Sequence, residues 1–469
     1  MRFAHFKRVR FSYFLFLLTV AGCSFLATQK GFYEPITAAL QSGDYEAAAQ
    51  NIEAAREAKQ FANKDRFLYY IDAGLAHFYA SHYDVSNEKL SLAEDAAEEL
   101  FTKSISRGAA SILLNDNVLD YAGEDYEILY TNLFKALNFL SLDECDEAFV
   151  EIRRANLKLE LLEQKYAEAA GELQRGAYSD ADHVDIPYEV KKVRFYNDAF
   201  ARYLSMHMYA ADGLMDDARI DYDMLRGAFV SQPEIYDFDM PDVQYSSGEK
   251  AILSVVAMVG LSPVKEALNL RIRTDKDLDL VQVLYDGPGQ GDAEYGHFPL
   301  PVSEDYYFKF AIPVIAARRS RVTCIQVVLD GERIGNLQLL EDVGNVARET
   351  FEAKRSLIYI SSVARAVSKG LVAHTLKEEA DEKTKNRLSR WLKKAAIDVG
   401  TDVIENADLR CSRLLPGKIF VGDFEIEPRA YDITVEFLDE TGVLLHSTAL
   451  SAYGVNKGAF NLVRAVSFN

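Results

Sequence analysis

The chain has 469 residues, with 52 Lys and Arg against 72 Asp and Glu, a formal charge of −20 and 49% apolar residues. Those figures exclude a small disulfide scaffold, a disordered tail and a basic nucleic-acid binder; at ~100–200 residues per domain the length suits about two to four domains, each able to bury a core. The acidity disfavours phosphate backbones and anionic lipid surfaces as partners, and otherwise informs solubility and association.

Arg2, Lys7, Arg8 and Arg10 precede an apolar stretch from Phe11 to Val20. It falls short of the ~20 residues that span a bilayer, so it reads as a signal peptide. The stretch closes in Val20-Ala21-Gly22-Cys23, which resembles the lipobox of bacterial lipoproteins. The resemblance implies cleavage between Gly22 and Cys23 and acylation of Cys23, where several acyl chains together anchor a protein stably. Ser24, in place of Asp, implies sorting to the outer membrane of a Gram-negative cell. Loss of the four basic residues takes the charge from −20 to −24. A polyanion is repelled by anionic lipid, so the acyl chains would hold it there. No later apolar run reaches 18 residues, and a periplasmic body is expected. Cys145, Cys324 and Cys411 remain, with no CxxC pair and at most one disulfide; Cys145 and Cys324 lie in apolar patterns and read as small buried hydrophobes.

From Phe32 to about Ala228 the pattern is helical, and a phrase recurs at Gly43-Asp44-Tyr45, Ser81-His82-Tyr83, Asp143-Glu144-Cys145 and Gly213-Leu214-Met215. Each phrase follows a helical run rich in Tyr, Phe and Leu and opens another, so the phrases mark the turns of helix hairpins. They resemble the turn of a tetratricopeptide repeat, in which a small residue, usually Ala, permits close helix crossing. Positions 45, 83, 145 and 215 are 38, 62 and 70 residues apart, where about 34 would be regular. Insertions are therefore expected, at Thr102–Gly123 and at Gly171–Ile186 ahead of Pro187. In the third hairpin Tyr126, Leu129, Leu133, Leu137 and Leu140 form an apolar stripe on the first helix. Cys145, Ala148, Phe149, Ile152, Ala155 and Leu159 do so on the second. On the first helix Glu127, Thr131, Lys135 and Asn138 form a polar line. That line is either a groove face that binds a protein partner or a solvated face with a helix-supporting Glu and Lys.

After Gly248 the period becomes alternating. Strands are expected at Ala251–Val259, Leu268–Ile272, Leu278–Tyr285, Tyr306–Val314, Val322–Leu329, Arg333–Leu340 and Tyr431–Phe437, with Asp330-Gly331 as a tight hairpin turn. Asn345–Leu376 and Lys385–Ala407 read as helices, joined by the charge run Lys377–Lys383. The fold class is α+β and multidomain, a helical hairpin-repeat domain followed by a β-rich, sandwich-like domain split by a helical hairpin. The expected divisions are 1–22 signal peptide, 23–31 lipidated tether, 32–246 helical domain, 247–344 with 408–469 β domain, and 345–407 helical insertion.

Several blocks then recur together: Asn115-Asp116-Asn117, Tyr121 to Glu127, Lys135-Ala136-Leu137-Asn138 and Arg153-Arg154-Ala155-Asn156, followed by Gly260 to Glu266, Ala407-Asp408-Leu409-Arg410 and Leu415-Pro416-Gly417-Lys418-Ile419. In this order the chain resembles the tetratricopeptide-like lipoproteins of Gram-negative bacteria, over most of its length. Where that family usually has a Trp two residues after the Arg matching Arg410, this chain has Ser412. The family brings no catalytic residues with it; its members often occur beside lipoproteins that activate penicillin-binding proteins, which implies envelope assembly.

Signals for chemistry are few. No two of the eight histidines show HExxH spacing, Gly287-Pro288-Gly289-Gln290-Gly291 lacks the GK[ST] of a phosphate loop, and no GxSxG is present. His297, near Asp292 and Glu294, reads as a surface histidine. No cofactor, metal or enzymatic activity is expected. The sequence thus points to an outer-membrane lipoprotein facing the periplasm, held by acyl chains on Cys23, that binds envelope proteins through its helical repeats and no nucleic acid. The alternative is an envelope enzyme or small-ligand binder working from a cleft between the helical and β halves.

Overall fold

The computed structural model describes residues 24–107, 120–178, 195–286, 293–299, 305–359 and 407–469, apart from single positions within those spans. The lipobox with Gly22 and Cys23, the 287–291 loop, the 377–383 charge run and most of the expected helical insertion lie outside the described residues.

Helices pair in sequence: α1 (Ser24–Ser42) with α2 (Tyr45–Glu57), α3 (Arg66–Tyr79) with α4 (Tyr83–Arg107), α5 (Asp125–Ser141) with α6 (Cys145–Tyr178), and α7 (Ala199–Ala211) with α8 (Met215–Ser231). The four turns share one construction. Gly43, Ser81, Asp143 and Gly213 occupy the left-handed region, with φ of 77, 63, 60 and 76°. The next residue in each turn donates its N–H to the carbonyl five residues back: Asp44 to Ala39, His82 to His77 and Glu144 to Phe139 at 2.9 Å, and Leu214 to Tyr209 at 2.8 Å. That bond closes the spent carbonyls of the first helix as a Schellman turn does. Four residues on stand Ala48, Ser86, Ala148 and Ala218, all fully buried, where a small side chain lets the two helices cross closely. The crossing of α3 and α4 is tight enough that a Cβ on Gly74 would lie 2.6 Å from the Leu90 side chain.

The sheet strands are β1 (Ala251–Leu261), β2 (Val264–Asp275), β3 (Leu280–Tyr285), β4 (Glu294–Pro299), β5 (Tyr307–Ala316), β6 (Cys324–Leu329), β7 (Glu332–Asn336), β8 (Gln338–Asp342), β9 (Pro416–Ile426), β10 (Ala430–Leu438), β11 (Leu444–Gly454) and β12 (Asn461–Ser467). They form three open sheets, ordered β12-β1-β9-β8, β11-β10-β6-β7 and β4-β3-β2-β5. The first two face each other across one core, where Leu253, Val255, Ala257 and Val259 of β1 meet Ile325, Val327, Ile433, Val435 and Phe437. The other face of the first sheet, with Val256, Met258, Ile419 and Val421, shares a core with Tyr79, Phe134 and Leu204 of the helices. Buried on both faces, β1 has no reason to alternate, which is why it reads Ala-Ile-Leu-Ser-Val-Val-Ala-Met-Val-Gly-Leu. Helices and two sheets thus stack as three layers of one α+β body.

Several expectations are corrected. Helix α1 already runs from Ser24, so the stretch 24–31, expected as a tether, is helical. Helix α6 continues through Gly171 to Tyr178, so the expected insertion there begins inside a helix. The expected strand Arg333–Leu340 is two strands, β7 in the second sheet and β8 in the first; between them Leu337 donates its N–H to Ile325 at 3.0 Å. The chain turns this corner because Leu337 faces the core between both sheets. Cys145, expected to be buried, is exposed and Cys324 half-buried; with Cys411 they are free thiols. Cys145 is the first residue of α6, ahead of the turn that buries Ala148. Helix α9 starts at 343 and runs to 359, the edge of the described residues.

Because the Gly74 crossing has no room, Gly74→Val should lower unfolding free energy by about 1–3 kcal/mol in urea denaturation. Gly31→Ala, over open space in α1, should be neutral or stabilising by up to about 1 kcal/mol.

Candidate functional site

The polar line expected to meet a partner is interior. Glu127, Thr131, Lys135 and Asn138 are 0, 1, 4 and 0% exposed. Helix α5 is enclosed on all sides: its apolar stripe packs into the shared core and its polar line faces neighbouring parts of the chain. Glu127 accepts from the Glu124 N–H (2.8 Å), the Tyr121 hydroxyl (2.7 Å) and the Ser412 N–H (2.5 Å). Thr131 bonds back to the Glu127 carbonyl at 2.8 Å. Lys135 Nζ lies 2.9 Å from Glu94 on α4 and 3.0 Å from Glu151 on α6. Asn138 donates to Ser86 (2.8 Å) and Asn87 (3.0 Å). Both sequence readings of this line, groove and solvated face, therefore give way. Its groups bolt α5 to α4, α6 and the 407–415 segment, and no partner reaches them.

Around Lys135 the polar groups form a compact set. Asn132 donates to Glu94 and Glu151 at 3.0 and 2.7 Å, Lys158 reaches Glu94 at 2.7 Å, and Arg154 reaches Glu94 and Glu151 at 3.3 and 3.2 Å. Burial opposes the Glu94 charge, yet Lys158 and the surrounding donors bring its carboxyl down to about 2. Removing Lys135 alone would leave Glu94 and Glu151 to the more exposed Lys158 and Arg154, so Lys135→Ala should lower stability in urea denaturation.

A second set gathers on residues 407–415, which run through the interior without belonging to a strand. Arg410 clamps Asp408 through Nε (2.9 Å) and Nη2 (2.8 Å), reaches Asp65 at 2.8 Å, and lies 5.0 Å above the Tyr121 ring. Glu124 holds Lys265 of β2 and, at 3.1 Å, Lys354 of α9. Asp72 accepts from the Ser412 hydroxyl (2.6 Å), the Tyr33 hydroxyl (2.5 Å) and the Arg413 N–H (3.2 Å). Burial pushes Asp72 up to about 6; burial and the neighbouring Glu124 charge push Glu127 up to about 7. Burial also raises the Cys411 thiol to about 11, so it stays protonated and unreactive. The sequence did carry a sign of this set: Asp72 is the single acidic residue inside the otherwise apolar helix α3, and a lone carboxylate there needs an interior partner.

A pocket of about 170 Å³ opens between α7, α8, β1 and the turn before β12, lined by His207, Met215, Lys250, Ser254, Lys457 and Phe460 among others. His207 Nε2 lies 3.2 Å from Asp423, which also accepts from Tyr203 (2.8 Å) and the Gln244 N–H (3.0 Å). Ser254 Oγ is 3.5 Å from both ring nitrogens. A hydroxyl equidistant from both nitrogens is in line with neither, so Ser254, His207 and Asp423 are not aligned as nucleophile and base. His297 is exposed on β4, paired with Glu294. Among the described residues no group of three His, Cys, Asp or Glu is placed to hold a metal.

Among the described residues, the second helices leave apolar side chains exposed on their outer surface. Val150, Leu157 and Leu161 of α6 are 43, 54 and 47% exposed, and Met215, Ile220, Met224 and Val230 of α8 are exposed as well.

The raised carboxyls set a pH dependence. Between the ordinary glutamate value of 4.5 and about 7, Glu127 binds a proton in the folded chain that it has lost in the unfolded one. Stability from this group is therefore complete below 4.5 and declines as pH rises toward 7; Asp72 and Asp198, both raised by burial to about 6, add to the decline. Glu53, Glu94 and Glu124, brought down to about 2, contribute in full throughout that window and lose their contribution only in stronger acid. Urea denaturation at about pH 5 and pH 7.5 should show wild type less stable at the higher pH, and Glu127→Gln should flatten that difference. An unchanged difference in the variant would remove Glu127 as its source. Comparison of the chain with protein-family models, curated proteins and solved structures returned no match.

Proposed function

We propose that the chain is an outer-membrane lipoprotein facing the periplasm, anchored by acyl chains on Cys23, and that it serves as an adaptor in cell-envelope assembly or maintenance. In this reading the helix hairpins are tetratricopeptide-like, the two facing sheets are a sandwich-like platform, and no catalysis or cofactor is involved. The observation that carries it is the apolar row Val150, Leu157 and Leu161, spaced i, i+7 and i+11 along one side of α6. Single exposed apolar residues need no explanation, but a row along a helix suits the apolar side of a partner's amphipathic helix. The lipid anchor would raise the adaptor's effective concentration toward such partners without adding a contact. Since the inner helices α3, α5 and α7 pack against the chain's own first sheet, the partner surface is assigned to the outer helices.

A second reading, a small-ligand protein, draws on the pocket beside His207. Its volume, about 170 Å³, suits a molecule near benzene in size and falls below the ~300–1,000 Å³ of drug-sized sites.

Two experiments test the first reading. Cys23→Ser should remove the protein from the outer-membrane fraction; retention in the outer membrane would count against lipid anchoring. A photo-crosslinking residue at Leu157, used in intact cells, should capture one envelope protein that the same residue at Glu332, on β7 of the second sheet, does not. Identical captures from both positions would sink the α6 surface.

A further inference from the structure

Helix α8 is the second helix of the last hairpin among the described residues. Its inner side, with Ala218, Asp221, Leu225 and Ala228, is buried, and Asp221 is tied to Arg202 of α7 at 3.0 Å. Its outer side is unlike the polar cap with which stacked helical repeats usually terminate. At 3.6 residues per turn Ile220, Met224 and Gly227 fall on one line. Ile220 and Met224 are 49 and 42% exposed, and a Cβ on Gly227 would meet nothing within 4 Å. The outer side thus offers apolar contact with bare backbone beside it, so another helix can approach closely.

The charges beside that line are ordered. Asp216, Arg219, Asp223 and Arg226 alternate in sign along one flank, all exposed. Among the described residues their ion pairs are long ones on the surface, Arg219 to Asp223 at 3.7 Å and Arg226 to Asp223 at 3.6 Å, of the kind that contributes little and rearranges readily. When two copies of this flank run antiparallel about a centre at Asp221, Asp216 faces Arg226 and Arg219 faces Asp223. Every one of the four residues then meets an opposite charge. About that centre Ile220 lies level with Tyr222, and Ile220 would oppose Met224 only about a centre one residue on, at Tyr222. A parallel two-fold pair would set this flank against the opposite flank of the partner helix and not against itself.

We propose that α8 is a self-recognition surface, on which a second copy of this chain docks its own α8 antiparallel about a two-fold axis. A two-fold contact is isologous: each residue i that meets j is matched by j meeting i, which is the pattern the flank spells out. This surface is separate from the α6 row, and the proposal does not depend on the adaptor reading. For a chain held on a membrane, confinement would add to the effective concentration that favours pairing.

Charge reversal provides the test. Sedimentation velocity of the full chain in density-matched detergent should give a weight-average mass of two chains for wild type. The variant Asp216→Arg with Asp223→Arg, and separately Arg219→Asp with Arg226→Asp, should each sediment at half that mass, because each presents a flank of one sign to itself. An equimolar mixture of the two variants should regain the mass of two chains, which shows that both are folded and that the pairing lies across α8. A monomeric wild type, variants that remain dimeric, or monomeric variants that fail to associate when mixed would each overturn the proposal.

Discussion

The fold depends on two buried carboxylates that hold a strandless segment inside the molecule. Residues 407–415 run between the helical layer and the first sheet, and a buried loop is stable only where its peptide groups find partners. Asp72 and Glu127 supply them, accepting the N–H groups of Arg413 and Ser412. Tyr79 donates to the Leu414 carbonyl at 2.8 Å and Ser262 N–H to the Leu415 carbonyl at 2.7 Å. From there β9 enters at Pro416, paired with Leu261 at the end of β1. Without this segment β9 would not be delivered between β1 and β8, and the sheet that joins both halves would lose its centre.

Burying so many charges has a cost that the local arrangement offsets in two ways. Where cations are at hand, as for Glu124 with Lys265 and Lys354 or Asp408 with Arg410, the carboxylates stay ionised. Where a cation is less close, as at Asp72 near Arg413 and Glu127 near Lys265, burial outweighs it and raises the pKa. The interior therefore mixes permanent ion pairs with groups that titrate near neutrality, and the second kind makes the junction between helices and sheet responsive to pH. The same packing decides where function can reside. In many helical arrays the inner face binds the partner; here it binds the chain's own first sheet, through Tyr45 to Val466 (3.0 Å), Arg464 to Tyr83 (2.9 Å) and Tyr203 to Asp423 (2.8 Å). The outer helices α6 and α8 keep apolar side chains exposed to partners.

The polar line of α5 shows why a site is harder to recognise than an element. Glu127, Thr131, Lys135 and Asn138 recur at helical spacing whether they face water, a partner or a neighbouring helix, because periodicity fixes a common face and not what lies opposite it. The missing information is Glu94, Glu151, Ser86 and Ser412, all distant in sequence. His207 and Asp423, 216 positions apart with the numbers subtracted, are the same case. Ser412 is instructive too: its hydroxyl and N–H are both used, on Asp72 and Glu127, a role no local pattern announces. The splitting of Arg333–Leu340 between two sheets likewise follows from a core contact at Leu337, not from its own alternation.

What the sequence determined by itself is local. Four turns with a left-handed residue at positions 43, 81, 143 and 213, each followed by a small buried residue, are set by hydrogen bonds spanning five residues. The Asp330-Gly331 hairpin, with φ of 50 and 86°, is set by its two turn residues. The apolar run of β1, interrupted by Ser254 and expected as an alternating strand, fits burial on both faces. Only the tertiary structure decided which layer covers each face, which carboxylates keep their protons and which helix surfaces stay outside. Those outcomes depend on contacts between residues hundreds of positions apart, and on desolvation that exists only once the layers have closed.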